Sequence, residues 1–402
     1  MFIPKIIIII FIKFTIIILL CIYNIIFIFN KKMINNYYLN SKNNKNNILR
    51  KINEYAINCK NKKIINKIEN IWVQPKITST VILYNAEKTI STAVRSIQNQ
   101  NMKNIEILLV DDNSLDNSLK IIQKLKEEDS RIKIIKNKIN RGSIFSRSIA
   151  TLYATGKYIM ALDSDDIFIN KNIFELCYKE AENQNIDIIE FSGFMVRKFI
   201  QRLNQKFPKI AFYLRYKKNN TIIRKPKLFN YLYNKNKTHI IRLMDGYIWG
   251  KCIRTYTYKS ALKILGEDIY KQNINFGEDR IVNFILFKIA NSFKFIEEYG
   301  IIYIYNPLSI FHSYHKESIL HDELINLNNI YKFTNNSTDV KIVAYEINYR
   351  WEKIIKVGLN EENKKNIIIL INLLLANKYL DLNDKNKLQN YLEQIINNKY
   401  NL

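Results

Sequence analysis

Four cysteines are spread through the 402 residues, at Cys21, Cys59, Cys177 and Cys252, and no two form a CxxC pair. Cys21 lies inside an apolar leader, so an odd three remain. A disulfide framework and a zinc site of clustered thiols are both excluded. Acid is also scarce: 36 Asp and Glu stand against 62 Lys and Arg, a formal net charge of +26. Such a balance suits nucleic acid, a membrane surface or a polyanionic small molecule. No nucleic-acid-binding pattern is present, so no nucleic-acid partner is expected. The Lys content travels with Ile and Asn, as an AT-rich coding sequence gives, so charge alone identifies no partner. Residues 191–244 hold fourteen Lys and Arg and no acid at all, with Phe and Tyr between. That run suits a phosphate-bearing molecule or anionic lipid, and lysine drift produces the same pattern.

A cleavage site of small residues is missing after the leader, where "NKKMINNYY" follows Phe29. The leader itself, residues 6–29, is apolar except for Lys13, Thr15 and Asn24. Its 24 residues would span about 36 Å as a helix, enough to cross a bilayer with some tilt. A single uncleaved membrane anchor over 1–30 is therefore expected, with Lys13 snorkelling. Lys31 and Lys32 against Lys5 and the terminal amine favour a cytosolic body. A secretory chain would instead keep its body in the lumen, in the Golgi or ER membrane if the cell is eukaryotic. Residues 31–75 read as an Asn- and Lys-rich stalk. Ile48, Ile52, Tyr55 and Cys59 give it one amphipathic helix.

The length allows one large or two modest domains. From Lys76 short apolar runs alternate with helical periods. "KITSTVIL", "IEILLV", "RIKIIKN", "KYIMALD" and "IDIIEFSG" read as strands. "AEKTISTAVRSIQNQ", "SLDNSLKIIQKLKEE", "SIFSRSIATLYAT" and "NIFELCYKEAEN" read as helices between them. This order predicts an α/β fold, a mostly parallel sheet with helices on both faces. Such sheets bind ligands at the carboxyl ends of their strands. From about Ser318 onward the chain reads as helices, a C-terminal helical extension over 318–402. Its run "NIIILINLLLA" is too short for a membrane span.

The strand "YIMALDSDDIF" ends in Asp163, Asp165 and Asp166. Carboxylates this close repel one another, and desolvating them is costly. A hard divalent ion would remove the repulsion, taking its remaining ligands from water and a diphosphate. A solvated turn or a helix cap would also accept aspartates here.

Over roughly 76–312 the chain resembles glycosyltransferase family 2, inverting nucleotide-sugar transferases with the GT-A fold. The matching pieces are "VILYNAEKTI", "SIQNQNMKNIEILLVDDNSLDNSL", "NRGSIFSR" and "GKYIMALDSDD", in the family's order. "IWGKCIR", "GEDRIVNF" and "IYIYNPLSI" follow more loosely. The resemblance implies a transferase domain over 76–317, with a nucleotide half at 76–190 and an acceptor half at 191–317. It implies a donor that is a nucleotide-diphosphate sugar, a glycan, lipid or protein acceptor, and Mn2+ or Mg2+ as cofactor. Tyr84, Asn85 and Glu87 would line the nucleotide pocket. Asp112 would accept a hydrogen bond from the base, and Arg147 would lie near the nucleotide or its phosphates. Asp163 and Asp165 would form the Asp-x-Asp metal element. Asp279 would be the general base, with Glu278, Trp249 and Lys251 on the acceptor side. The family usually has a proline where this chain has Ile82, and an Asn where it has Ser148. Asp112 and Asp279 also suit helix starts, Trp249 suits a core, and His312 and His315 suit a surface. A nucleotidyltransferase shares the fold and the acidic dyad, but it carries a Gly-rich basic loop that "YNAEKT" is not. An inactive binding protein would lack the dyad or the base, and both are present.

Overall fold

A computed structural model of the chain describes residues 74–196, 212–213, 222–225, 247–272, 274, 277–304, 316–334, 340–348, 351 and 359–397. The leader, the stalk, most of the acid-free segment, His312 and His315 lie outside the described residues. Among the described residues no helix is long and apolar enough to cross a membrane.

One mixed sheet organises the described chain. Strands β1 (Ile77–Leu83), β2 (Ile105–Asp111), β3 (Ile132–Lys136) and β4 (Tyr158–Asp163) pair in parallel, in the order β3-β2-β1-β4. Helices α1 (Ile90–Gln98), α2 (Ser118–Glu128) and α3 (Ser143–Tyr153) connect them. Short strand β5 (Ile167–Phe168) and helix α4 (Ile173–Asn183) lead to β6 (Ile188–Val196). Two-residue strands β7 (Phe212–Tyr213) and β8 (Ile223–Arg224) pair with β6 and with β10 (Ser292–Ile304). The strict alternation then breaks. Strand β9 (Lys251–Arg254) inserts antiparallel between β4 and β6, with Cys252 opposite both Met160 and Ile189. Its first three residues are buried, so it is an interior strand of the sheet. Helices α5 (Thr255–Leu265), α6 (Glu267–Tyr270) and α7 (Glu278–Ile289) lead into β10, which lies parallel to β6.

Successive side chains of a strand point to opposite faces, and the core divides accordingly. Tyr158, Met160 and Leu162 face one layer with Ile90, Val94 and Ile97 of α1 and Phe174 of α4. Ile159 and Ala161 face the other, with α3, α5 and α7. Burying each Ile or Val contributes about 1.5–3 kcal/mol, which makes α1 adhere by three positions of its period. Helices α8 (Lys316–Lys332), α9 (Glu361–Leu375) and α10 (Leu382–Ile396) continue that second core. The apolar run "NIIILINLLLA" lies on α9, which buries Ile367, Leu370, Ile371 and Leu374.

The register aligns the strand ends that matter. Leu83 stands opposite Asp111, and Ile82 opposite Asp163. Two helices begin later than their sequence period suggests, α1 at Ile90 and α2 at Ser118. The residues before them form loops that bond to each other.

Candidate active site

The loops after β1 and β2 are stitched together by side chains. Asn85 has φ of 51°, in the left-handed region where Asn is tolerated. Its backbone N–H donates to Ser114 Oγ at 3.0 Å, and its Oδ1 accepts from the Leu115 N–H at 2.8 Å. Glu87 Oε2 accepts from Asn117 N and Nδ2 at 3.2 and 3.1 Å, while the Glu87 N–H donates to Asp116 Oδ2 at 3.0 Å. Asn85 and Glu87 therefore brace the loops with their polar atoms. Tyr84, 43% exposed, presents its ring to solvent beside them.

Asp112 is buried and holds the approach to α3. Its Oδ1 accepts from Asn137 Nδ2 at 2.7 Å and from the Arg141 N–H at 2.9 Å. Its Oδ2 accepts from the Gly142 N–H at 2.8 Å. These bonds leave about one acceptor direction of the carboxylate for a ligand. The residue that bonds the start of the 114–118 segment is its neighbour Asp111, whose Oδ1 accepts from the Ser114 N–H at 3.1 Å. Asp111 Oδ2 is buried without a partner.

Gly142 precedes α3 with φ of 82°, and one turn further on α3 presents Arg147. This guanidinium gathers three carboxylates. Nη1 and Nη2 each lie 3.3 Å from Asp163 Oδ1, at the end of β4. Nε lies 3.4 Å from Asp279 Oδ1, and Nη2 lies 3.7 Å from Glu278 Oε1. Burial works against the charge of Arg147, but the charges of Asp279, Asp163 and Glu278 more than offset it and hold its pKa above the ordinary value. Burial and the Asp279 charge push Glu278 up to about 7, against the pull of Arg147.

Glu278 and Asp279 open α7 after Gly277, whose φ of 70° suits glycine. The helix dipole favours acids in this first turn. Asp279 nevertheless makes no cap for its own helix. Its Oδ2 accepts from the Ile248 N–H at 3.0 Å, tying α7 to the turn before β9. Its Oδ1 is buried with no hydrogen-bond partner, the Arg147 contact being off-line.

At the end of β4, Asp163 and Asp165 are partly exposed and Asp166 is buried. Burial raises the pKa of Asp163, Arg147 lowers it, and Asp279 raises it again, with a net upward shift. Asp166 is raised well above the usual range by burial and by the Asp163 and Asp165 charges. Its Oδ1 accepts from the Ile304 N–H at 2.9 Å, locking β4 to the end of β10, and its Oδ2 has no hydrogen-bond partner. Arg147 thus supplies positive charge to Asp163 from inside the cluster. Among the described residues no group of three or more His, Cys, Asp or Glu is placed to hold a metal ion. An all-oxygen pair at a strand end suits a hard ion that completes its shell with phosphate and water.

On the far side, Trp249 is 5% exposed and packs in a three-ring cluster with two tyrosines, whose own rings lie 6.2 Å apart. Tyr247 lies at 4.5 Å and 15°, and Tyr303 at 5.9 Å and 19°. Trp249 is thus a core residue whose Nε1 has no hydrogen-bond partner. Lys251 does not face solvent. It is 2% exposed, donates to the Tyr247 carbonyl, and lies 3.9 Å from Glu190 Oε2. A small open cleft lies here, lined by Glu190, Ser192, Gly193, Tyr247, Trp249 and Lys251.

The structure brings Arg147, Asp163, Glu278 and Asp279 into one cluster. Tyr84, Asn85, Glu87 and Asp112 form a separate group, joined to the cluster through Gly142 and α3. Sequence reasoning passed over Tyr303, which burial and the Asp166, Tyr247, Asp165 and Asp163 neighbours push well up. It stands between the aspartates and the aromatic stack. Its place in "IYIYN", opening a piece that matches the family, was the available signal.

Residues 80–250 match the Glycosyl transferase family 2 model. Over 236 residues the chain is 28% identical to "Uncharacterized glycosyltransferase EpsJ" of Bacillus subtilis, covering 59% of this chain and 63% of that one. It is 29% identical to the "Cholesterol galactosyltransferase" of Borreliella burgdorferi, covering 58% of this chain and 61% of that one. The chain thus spans about three fifths of the length of these curated relatives. A shorter match, 44% over 86 residues, is to the "UDP-Glc:alpha-D-GlcNAc-diphosphoundecaprenol beta-1,3-glucosyltransferase WfgD" of Escherichia coli, covering 21% of this chain and 33% of that one. Among solved structures, S. aureus TarS 1–349 in complex with UDP-GlcNAc has the same fold, with a TM-score of 0.58 at 17% identity. That match covers 81% of this chain and 89% of the TarS chain.

Proposed function

We propose that the chain is a family 2 glycosyltransferase that moves a sugar from a nucleotide-diphosphate donor to an acceptor hydroxyl, with inversion and with a divalent metal. The observation that carries the reading is Asp279 Oδ1. It is a buried carboxylate oxygen without a hydrogen-bond partner, 3.4 Å from the guanidinium that also contacts Asp163. A free lone pair beside the strand-end aspartates is what a base for the acceptor needs.

The nucleotide would lie over the ends of β1 and β2, with its base near Tyr84 and the remaining acceptor direction of Asp112. The diphosphate would lie at the end of β4. Asp165 and Asp163 would hold a Mn2+ or Mg2+ ion, which when bound supplies charge to the departing phosphate oxygens. Arg147 would share that task from inside, keeping Asp163 and Asp279 aimed at one point. The acceptor would enter along the cleft beside Tyr247. Its hydroxyl proton would pass to Asp279 as its oxygen bonds the anomeric carbon. The bond from that carbon to the diphosphate breaks with its electron pair going to phosphate. General-base help gives about 10²–10⁴-fold, and orientation and electrostatics supply the rest.

The relatives support a narrower version. WfgD is named for UDP-Glc and a diphosphoundecaprenol acceptor. A UDP-sugar donor and a lipid-linked acceptor fit that likeness, and the apolar run 6–29 would tether the chain beside such a lipid. The test is product analysis on the full chain in detergent with UDP-sugars and Mn2+. Release of nucleoside diphosphate with an inverted glycosidic linkage supports the reading. Release of pyrophosphate from sugar phosphate and nucleoside triphosphate would instead make it a nucleotidyltransferase.

A further inference from the structure

Two side chains reach the strand-end aspartates from opposite faces of the sheet. Arg147 comes from α3, which packs on the layer of Ile159 and Ala161, and it meets Asp163 at 3.3 Å. Tyr303 comes from β10, and its ring packs on the other layer, the one that holds Phe168, Trp249 and Ile301.

The backbone fixes Tyr303 at this spot. Ile301 pairs with Phe168 and Ile302 with Ile167, antiparallel, so β10 runs on past Asp166 and Asp165. The Ile304 N–H then donates to Asp166 Oδ1 at 2.9 Å. Tyr303 is thus held between a strand pairing and a side-chain bond. Its ring is held as well, 5.9 Å from Trp249 at 19° and 6.2 Å from Tyr247 at 27°. What this rigid frame presents is a hydroxyl. The charges of Asp166, Asp165 and Asp163 all act on it, yet among the described residues no group shares a hydrogen bond with it. A polar group partly withdrawn from water usually has a partner, so one left open at a ligand site points to the ligand.

The chemistry of the phenol narrows that ligand. Its ordinary pKa is about 10, and burial followed by the neighbouring charges pushes it further up. At neutral pH the group is therefore a proton donor, and the ligand atom must accept. A bond to a charged oxygen is roughly twice as strong as one to a neutral hydroxyl. Negative charge on the phosphate also grows as its bond to the anomeric carbon breaks, so a fixed donor there favours the transition state.

Given the transferase reading above, we infer that Tyr303 is a further catalytic residue, whose hydroxyl donates to the sugar-bearing phosphate of the donor. The departing phosphate then meets a donor from β10 on the face away from Arg147.

The experiment uses the full chain in detergent, wild type and Tyr303→Phe, with Mn2+ present. Phenylalanine keeps the ring and its stacking and removes only the hydroxyl. Isothermal titration with UDP, GDP and dTDP, each beside its monophosphate, needs no acceptor. The pair compared is the diphosphate that the wild type binds most tightly and its monophosphate. Tyr303→Phe should bind the diphosphate about tenfold more weakly and the monophosphate within about twofold of wild type, because only the diphosphate carries the second phosphate. Donor turnover should also fall by about tenfold. Equal weakening of both nucleotides overturns the inference, since a loosened aromatic cluster would do that. Unchanged diphosphate affinity also overturns it, and a raised acceptor KM would then put the hydroxyl on the acceptor. A wild type that binds none of the diphosphates sinks the transferase reading itself, and this inference with it.

Discussion

Arg147 Nε and Asp279 Oδ1 stand 3.4 Å apart, and neither atom has a hydrogen-bond partner. The two are attracted by charge without being locked by a directed bond. The Nη atoms of the same guanidinium meet Asp163 Oδ1 at 3.3 Å. One buried cation thus joins the end of β4 to the start of α7, two elements that already share an apolar core.

Arg147→Lys should damage both rate and fold. An ammonium is a point charge and cannot face three carboxylates in one plane. Removing one partner of a buried ionic group typically costs about 3–5 kcal/mol, and retaining the charge should keep this loss toward the lower end. Steady-state kinetics should show kcat reduced about 10²-fold, and thermal unfolding a lowered Tm. A variant with normal rate and Tm would remove Arg147 from the centre of the site.

Asp165→Asn should lose most turnover and keep its fold, because the side chain is partly exposed and an amide is a poor ligand for a hard ion. Titrating Mn2+ against activity checks this, with circular dichroism as the control for folding. An unchanged Mn2+ dependence would place the ion elsewhere.

Asp112→Asn should act through the 137–142 loop. Its carboxylate accepts three hydrogen bonds, from Asn137 Nδ2 and from the Arg141 and Gly142 N–H groups. An amide turns one acceptor into a donor that faces donors, at a cost of about 1–3 kcal/mol. Denaturant unfolding should register the loss, and the donor KM should rise more than kcat falls. An unaltered stability would mean that the loop does not depend on these bonds.

Glu278 gives a pH signature. Burial and the Asp279 charge raise it to about 7 from an ordinary 4.5. Below about pH 4.5 the group is protonated in both folded and unfolded chains and carries no penalty. Between 4.5 and 7 the unfolded chain gives up its proton first, so stability falls as pH rises; the loss is complete once pH passes about 7. Glu278→Gln should therefore match wild type in Tm near pH 4.5 and exceed it at pH 8. Thermal melts across that range check this, and a variant whose advantage in Tm does not grow between pH 4.5 and 8 contradicts the buried, raised carboxyl of Glu278.

The strands were legible because their apolar runs are short, bounded and alternate with helical periods. The strand-end aspartates were legible because like charges leaving a buried strand demand a reason. The insertion of β9 between β4 and β6 was not, since four residues in "GKCIR" carry no mark of direction or neighbour. The meeting of Arg147 with Glu278 and Asp279 was likewise hidden, because it depends on how α3 and α7 pack on one face of the sheet. The surroundings of Lys251 were hidden for a related reason, because only the fold brings the Tyr247 carbonyl and Glu190 to its ammonium. The later starts of α1 and α2 follow from the bonds between Asn85, Glu87, Ser114 and Asn117, a pairing of loops that no periodicity encodes.

The most direct measurement is single-turnover transfer by Asp279→Asn, with donor affinity measured alongside. The amide keeps the shape and leaves an oxygen for the Ile248 N–H, but it cannot take a proton. Transfer should slow by about 10²-fold or more, while the affinity for donor and Mn2+ stays within about twofold. Near-normal transfer by Asp279→Asn would contradict the account, and would do so most pointedly if Glu278→Gln then proved inactive.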